Sequence, residues 1–376
     1  MFLALRELRF ARGRYALMGL VVALIAILMV LLSGLSVGLA NDGVAGLKKL
    51  PVTSFAFQHG VSKDSVFSRS VLEADMVSDW AAEPGVAEAA PFGTTLVNAR
   101  TDQGIEIDLA LFGVELGSFL DPSVDAGQPL TGEGEVVVSA TAAQDGVEVG
   151  DTIVLEPTGA ELRVVGILSG QHTYGHVDVG YLALSSWQEI RAGVRPGDVI
   201  ADRVYEDITA VALRAESGET IDLAAGDARL GTSSMSLVDS FGASPGYTAE
   251  TTTLQLIQGF LYAISALVVG AFFTVVTVQR KHEIAVLRAM GASTGYLLRD
   301  SLVQSLVLLV VSAAVGLGLG LAAGVGLAST SMPFVLEAGP IAVATALLLV
   351  LGLAGAGAAV IRITRVDPLT ALGGSR

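Results

Sequence analysis

Four apolar stretches of spanning length decide what this chain can fold into. They lie at about residues 15–40, 254–278, 297–328 and 340–361. A helix needs roughly 20 apolar residues to cross the hydrocarbon core of a bilayer. A chain in lipid must satisfy its backbone hydrogen bonds internally, which a helix does alone. The four stretches therefore read as transmembrane helices. The third is longer than a crossing needs and is expected to tilt or to project into water. Residues 16–40 carry no charge, a longer run than the 7–15 apolar residues of a signal peptide, so the first stretch reads as an uncleaved span.

Composition agrees. The chain is 52% hydrophobic and 16% charged, where soluble globular chains are about 25% charged. Its mean hydropathy is +0.64. The absence of Cys excludes disulfides, thiolate metal sites and cysteine nucleophiles. Four His, at 59, 172, 176 and 282, leave little for a histidine metal cage. A net charge of −15 argues against nucleic acid as a partner.

Orientation follows from Lys and Arg near the span ends. Arg6, Arg9, Arg12 and Arg14 precede the first span, and Arg280, Lys281, Arg288 and Arg299 lie between the second and third. Arg362, Arg365 and Arg376 follow the fourth, whereas residues 329–339 hold no Lys or Arg. Both termini and the second loop are thus expected in the cytoplasm of a multi-pass cell-membrane protein. Residues 41–253 are then outside. They hold 11 Lys and Arg against 32 Asp and Glu, a net of −21, and the rest of the chain carries +6. The expected fold is an α-helical membrane protein with four transmembrane helices and a mixed α+β extracellular domain inserted between helices one and two. Residues 1–40 make the N-terminal helix and first span, 41–253 the outer domain, and 254–376 the remaining spans with the tail.

Within 41–253, residues 151–156 and 161–168 read as strands joined by the Pro157–Ala160 turn, with a short helix before them at 140–146. A helix is expected at 185–194, another at about 71–82 ended by Pro84-Gly85, and a strand at 208–216. No G-x-S-x-G, H-E-x-x-H or G-x-x-x-x-G-K-[ST] motif occurs, so catalysis and Walker-type ATP binding are not expected of this chain. The densest outer polar cluster is Gln171 to Tyr181, with His172, Tyr174 and His176. Its glycines 170, 175 and 180 favour a polar hairpin or loop; the sharper alternative is an iron contact.

The second span runs into "TVVTVQRKHEIAVLRAMGAS". Ile284 and Leu287 lie at helical spacing, as do Leu287 and Met290, and Gly291 is a natural helix stop. Residues 280–292 thus read as a short amphipathic cytoplasmic helix presenting Arg280, Lys281, Glu283 and Arg288. It could lie on anionic membrane lipid or dock on a partner. Inside the spans, polar residues are costly and therefore informative. Met29, Ser33 and Ser36 interrupt the first. Gln255, Gln258 and Tyr262 share one face of the second. Interhelical hydrogen bonding and ordinary core packing are the simpler readings of these residues.

The motif from Arg280-Lys281 through Glu283, Ile284, Ala285, Leu287, Arg288, Ala289, Gly291, Ala292 and Ser293 resembles the signature of the FtsX-like/MacB-like permeases of ABC transporters. The opening "ALRELRFARGRYALMGL" and the tail motif of Arg365, Pro368, Ala371 and Leu372 resemble that family too. The resemblance implies a permease subunit working as a homodimer with two copies of a separate ABC ATPase. ATP would be bound by that partner, and residues Arg280, Lys281, Glu283, Leu287, Arg288 and Gly291 would couple to it. No permanently bound cofactor is expected. The opening and residues 166–190 look most like the haem-exporting members, which makes haem the expected substrate. A haem slot would take Met29 as iron ligand with Gln255, Gln258 and Tyr262 as polar partners, or else the outer His172, Tyr174 and His176. The alternatives in other classes are an ATPase-coupled regulator of a cell-wall hydrolase and an exporter of a lipid or hydrophobic drug.

Overall fold

A computed structural model describes residues 12–279, 286, 290–291, 293–330 and 332–364. In chain order the first element is helix α1 (Arg12–Lys48). Next come β1 (Ser54–Gln58), β2 (Leu72–Glu73), α2 (Met76–Ala81), β3 (Val86–Thr101), β4 (Glu106–Val114), β5 (Val124–Gly127), β6 (Glu135–Val138) and α3 (Ala140–Gln144). The chain continues through β7 (Thr152–Glu156), β8 (Glu161–Leu168), β9 (Thr173–Tyr174), β10 (Val177–Ala183), α4 (Leu184–Arg191), β11 (Asp207–Ile208), β12 (Ala210–Ala215), α5 (Leu223–Leu230) and β13 (Thr232–Ser236). Three long helices close it: α6 (Tyr247–Gln279), α7 (Thr294–Ala328) and α8 (Ala338–Thr364). The chain divides into two compact units, Ala40–Glu250 and the remainder.

In the Ala40–Glu250 unit the sheet order is β13-β1-β12-β3-β4-β10-β6-β8-β5. Strand β3 is the hinge of this arrangement because its 16 residues serve three partners. Its first half pairs with β12, its second half with β4, and its end with β7. Since β7 also pairs with β8, the strands β3-β4-β10-β6-β8-β7 close on themselves as a small barrel. Alternation then assigns each strand's two faces to different cores. Leu109 and Leu111 of β4 and Val136 and Val138 of β6 fill one, with Ile153, Val164 and Trp187. Ala110, Phe112, Val114 and Val137 point the other way, into a core rich in Phe55, Phe57, Phe67 and Phe92. Trp187 of α4 fits because Gly93 and Gly113 face each other across the β3–β4 pair. A Cβ on either would fall 2.3–2.4 Å from the Trp187 side chain.

The expected strands at 151–156 and 161–168 appear as the antiparallel pair β7 and β8. The helix expected at 71–82 is shorter. Leu72 and Glu73 pair with Ile208 and Asp207, and only Met76–Ala81 is helical. The side chain of Leu72 is buried beside Trp80, so packing overrides local propensity there.

In the other unit the long helices meet through small residues. Among the described residues four helices are long and apolar enough to cross a membrane, over Tyr15–Lys48, Tyr247–Val276, Arg299–Ala328 and Ala338–Ala358. Gly316 and Gly320 of α7 lie against α1, where added Cβ atoms would stand 2.4 Å from the Ala23 carbonyl and 2.9 Å from Val30. Gly355 of α8 approaches α6 as closely, 2.7 Å from the Ala266 carbonyl. Gly318, on another face of α7, meets open space. The segment between α7 and α8 docks on α1: the Phe334 ring fills the space above Gly34, and the Val335 N–H donates to the Gly34 carbonyl at 3.1 Å.

Candidate functional site

Along α1 the side chains at Met18, Val22, Ile25 and Met29 turn inward, and Leu17, Leu20, Leu24 and Leu28 turn outward. Met29 is 5% exposed. It packs with Ile25, Ala26, Ala313, Ala344 and Leu348, and Tyr262 packs against the same cluster. The structure therefore brings Met29 and Tyr262 together. Gln258, one turn before Tyr262, is half-buried, and Gln255 is exposed. Leu256, Ile257, Phe260 and Ile264 expose an apolar face on the same helix.

Two further polar sites in this unit lie outside the residues expected from the sequence. Gln304 of α7, 3% exposed, donates from Nε2 to the Tyr15 hydroxyl at 2.8 Å. Ser265, one turn after Tyr262, is buried, and among the described residues its hydroxyl has no hydrogen-bond partner. A lone amide in an apolar run was the signal for Gln304. Nothing in the run around Ser265 distinguishes it.

The outer residues His172, Tyr174 and His176 lie on or beside the β9–β10 hairpin. Gly175 and His176 form its two-residue turn, both at positive φ (59° and 67°), as a type I′ turn requires. The three side chains go to separate places. Tyr174 is 3% exposed, edge-on to Phe67 and Phe112, and burial raises its hydroxyl pKa. His172 is buried beside Tyr181. Its Nδ1 lies 3.2 Å from the Gly170 carbonyl and 3.4 Å from Lys49 Nζ, and burial lowers its pKa to about 4. His176 stands between two carboxylates, Nδ1 2.9 Å from Asp42 and Nε2 2.8 Å from Glu250. At His176 a metal would have to displace a carboxylate partner from either ring nitrogen.

Of the expected coupling residues, Arg280, Lys281, Glu283, Leu287 and Arg288 lie outside the described residues. Gly291 has φ +94°, the left-handed conformation of a helix-ending glycine. The Met290 N–H donates to the Val286 carbonyl at 3.0 Å, one helical turn before that stop. Ser293 then caps α7 through Tyr296 N–H.

Among the described residues, four helices of spanning length with one large α/β unit inserted between the first and second define a class: a multi-pass membrane protein with a water-facing domain. The MacB-like periplasmic core domain matches residues 16–229, and the FtsX-like permease C-terminal domain matches residues 256–368. The chain belongs to this FtsX/MacB-type family of ABC-transporter permeases. It is 24% identical over 374 residues, all of this chain and 99% of the relative, to HrtB of Staphylococcus haemolyticus, named a putative hemin transport system permease. It is also 24% identical over 380 residues to an uncharacterized ABC transporter permease of Mycobacterium tuberculosis, again covering 100% and 99%. A solved structure, the periplasmic region of MacB from Actinobacillus actinomycetemcomitans, is similar over 50% of this chain and 91% of its own length, at 13% identity and TM-score 0.37. An ABC permease works with an ATPase, so the chain has such a partner.

Proposed function

We propose that this chain is the permease subunit of an exporter that removes haem from the membrane, driven by ATP bound to a separate ATPase. The observation that carries this reading is the end-to-end match to permeases named for hemin transport. The membrane unit is chemically compatible. Haem needs an apolar slot, a soft or nitrogenous iron ligand and polar groups for its propionates. Met29 and Tyr262 meet in one apolar cluster, with the amides of Gln258 and Gln255 one and two turns toward the outer domain in sequence. In this reading both termini and the 280–292 segment face the cytoplasm, which the positively charged flanks support. Two copies of the chain and two of the ATPase make the working complex, because ABC machines use paired ATP sites.

The test is haem sensitivity of a strain lacking this gene, complemented by the wild-type chain or by Met29→Ala. Wild type restores growth in haem and Met29→Ala does not. If the deletion leaves haem tolerance unchanged but alters tolerance of a hydrophobic drug, the cargo is the drug. If it changes only cell separation, the hydrolase-regulator reading replaces transport.

A further inference from the structure

The tip of the β9–β10 hairpin ties down the two ends of the Ala40–Glu250 unit. Asp42 lies near the end of α1, Glu250 lies in the first turn of α6, and His176 sits between them. The two carboxylates are 134 and 74 positions from His176 in sequence. The same spot is stitched by backbone. The Gly175 N–H donates to the Gly43 carbonyl at 3.0 Å, and the Ser244 hydroxyl donates to that carbonyl at 2.7 Å. Gln171 Nε2 donates to the other Asp42 oxygen at 2.7 Å. His176 accepts a positive φ in order to reach its place, and a non-glycine residue does so only where its surroundings hold it.

The protonation chemistry of this cluster is narrow. A carboxylate only accepts hydrogen bonds, so each ring nitrogen of His176 must donate. An imidazole donates from both nitrogens only as the imidazolium. We propose that His176 is a proton-dependent latch. Protonated, it bridges Asp42 and Glu250 and fixes the first turn of α6 to the end of α1. Neutral, it keeps one bridge and turns a lone pair toward the other carboxylate, which releases that side. Histidine is the side chain whose ordinary charge change falls between about pH 5 and 8. An outer domain that carries the latch would thus hold its base tight in acid and loosen it as external pH rises.

The remaining charged groups around the latch have other engagements. On α1, Lys48 Nζ donates to Asn41, and the adjacent Lys49 donates to the Ser169 carbonyl and faces His172. On the hairpin, Asp178 is held by Thr141, and burial raises its pKa. In the segment before α6, Asp239 accepts from Ser236. None of these groups supplies a second cation to the Asp42–Glu250 pair.

The experiment is amide hydrogen exchange on the full chain in lipid nanodiscs at about pH 5.5 and about pH 8, corrected for intrinsic exchange rates. The amides read are Gly175 and those of residues 247–250. In the wild type, protection at the lower pH exceeds that at the higher by about tenfold, the scale of a local opening. In His176→Gln, protection is low at both. In Glu250→Gln, protection stays high at both, because the Gln amide donates to a neutral Nε2 while Nδ1–H keeps Asp42. Equal wild-type protection at both pH values overturns the latch. So does a Glu250→Gln chain that loses protection at the higher pH as the wild type does. Neither outcome depends on the cargo.

Discussion

The outer domain and the membrane unit each hold together, but by opposite means. The outer domain buries rings: Phe92 lies 5.1–6.3 Å from the rings of Phe55, Phe67 and Phe112, and aromatic burial of this kind dominates a water-facing core. The membrane unit instead brings backbones together at Gly316, Gly320 and Gly355, and leaves large apolar residues such as Leu17, Leu24, Phe260 and Leu267 facing outward. In water, removing apolar surface drives assembly. In lipid, the tails are as apolar as leucine, so helices associate through close packing and a few hydrogen bonds. One chain therefore contains two cores that should answer differently to the same kind of substitution.

Both tryptophans, Trp80 and Trp187, lie in the outer domain and are fully buried, so their fluorescence reads that domain within the intact chain. The largest effect is expected from Phe92→Ala, which should cost the outer domain about 3–5 kcal/mol in urea unfolding followed by tryptophan emission. A loss under about 1 kcal/mol would mean that the aromatic cluster is not its main support. Next, Gly316→Val should cost the membrane unit about 1–3 kcal/mol by forcing α7 from α1. Thermal aggregation in detergent should start earlier while the tryptophan transition stays in place, and Gly318→Val should behave like the wild type. Equal effects at 316 and 318 would exclude close packing as the cause.

A smaller effect belongs to His172. The unfolded chain takes up a proton there near pH 6.5, whereas burial holds the folded pKa at about 4. The unfolded state therefore binds more protons across that window, and the outer domain should lose stability as pH falls from about 6.5 to about 4. His172→Gln should flatten this slope in the tryptophan-monitored midpoint. An unchanged slope would assign the acid sensitivity to other groups. The smallest effect on either core is expected from Glu283→Lys combined with Arg288→Glu. That chain should fold normally yet lose its ATPase on co-purification, and undiminished recovery of the ATPase would place the coupling surface elsewhere.

The two units also differ in how much of them is legible in the sequence. The spans are legible because a run of roughly 20 apolar residues is rare outside a membrane. The β7–β8 pair is legible because alternation and the Pro157–Ala160 turn are local signals. Barrel closure is not, since it depends on β3 meeting β12, β4 and β7 along one strand. The helix expected at 71–82 fails for the same reason, because Leu72 answers to Ile208. At the candidate sites, Met29 and Tyr262 stand out by the cost of unusual residues in an apolar run, and the fold places them in one cluster. His176 is noticeable in sequence, but Asp42 and Glu250 are not, for they reach it only through the tertiary fold.

Haem export is read most directly from haem-dependent ATP hydrolysis. The permease and its ATPase would be reconstituted together in liposomes with haem dissolved in the bilayer. For a haem exporter, haem raises the hydrolysis rate and leaves the membrane only when ATP is present, and Met29→Ala removes this response while keeping the haem-free rate. Hydrolysis that ignores haem at every loading, with haem retained in the bilayer, would contradict it.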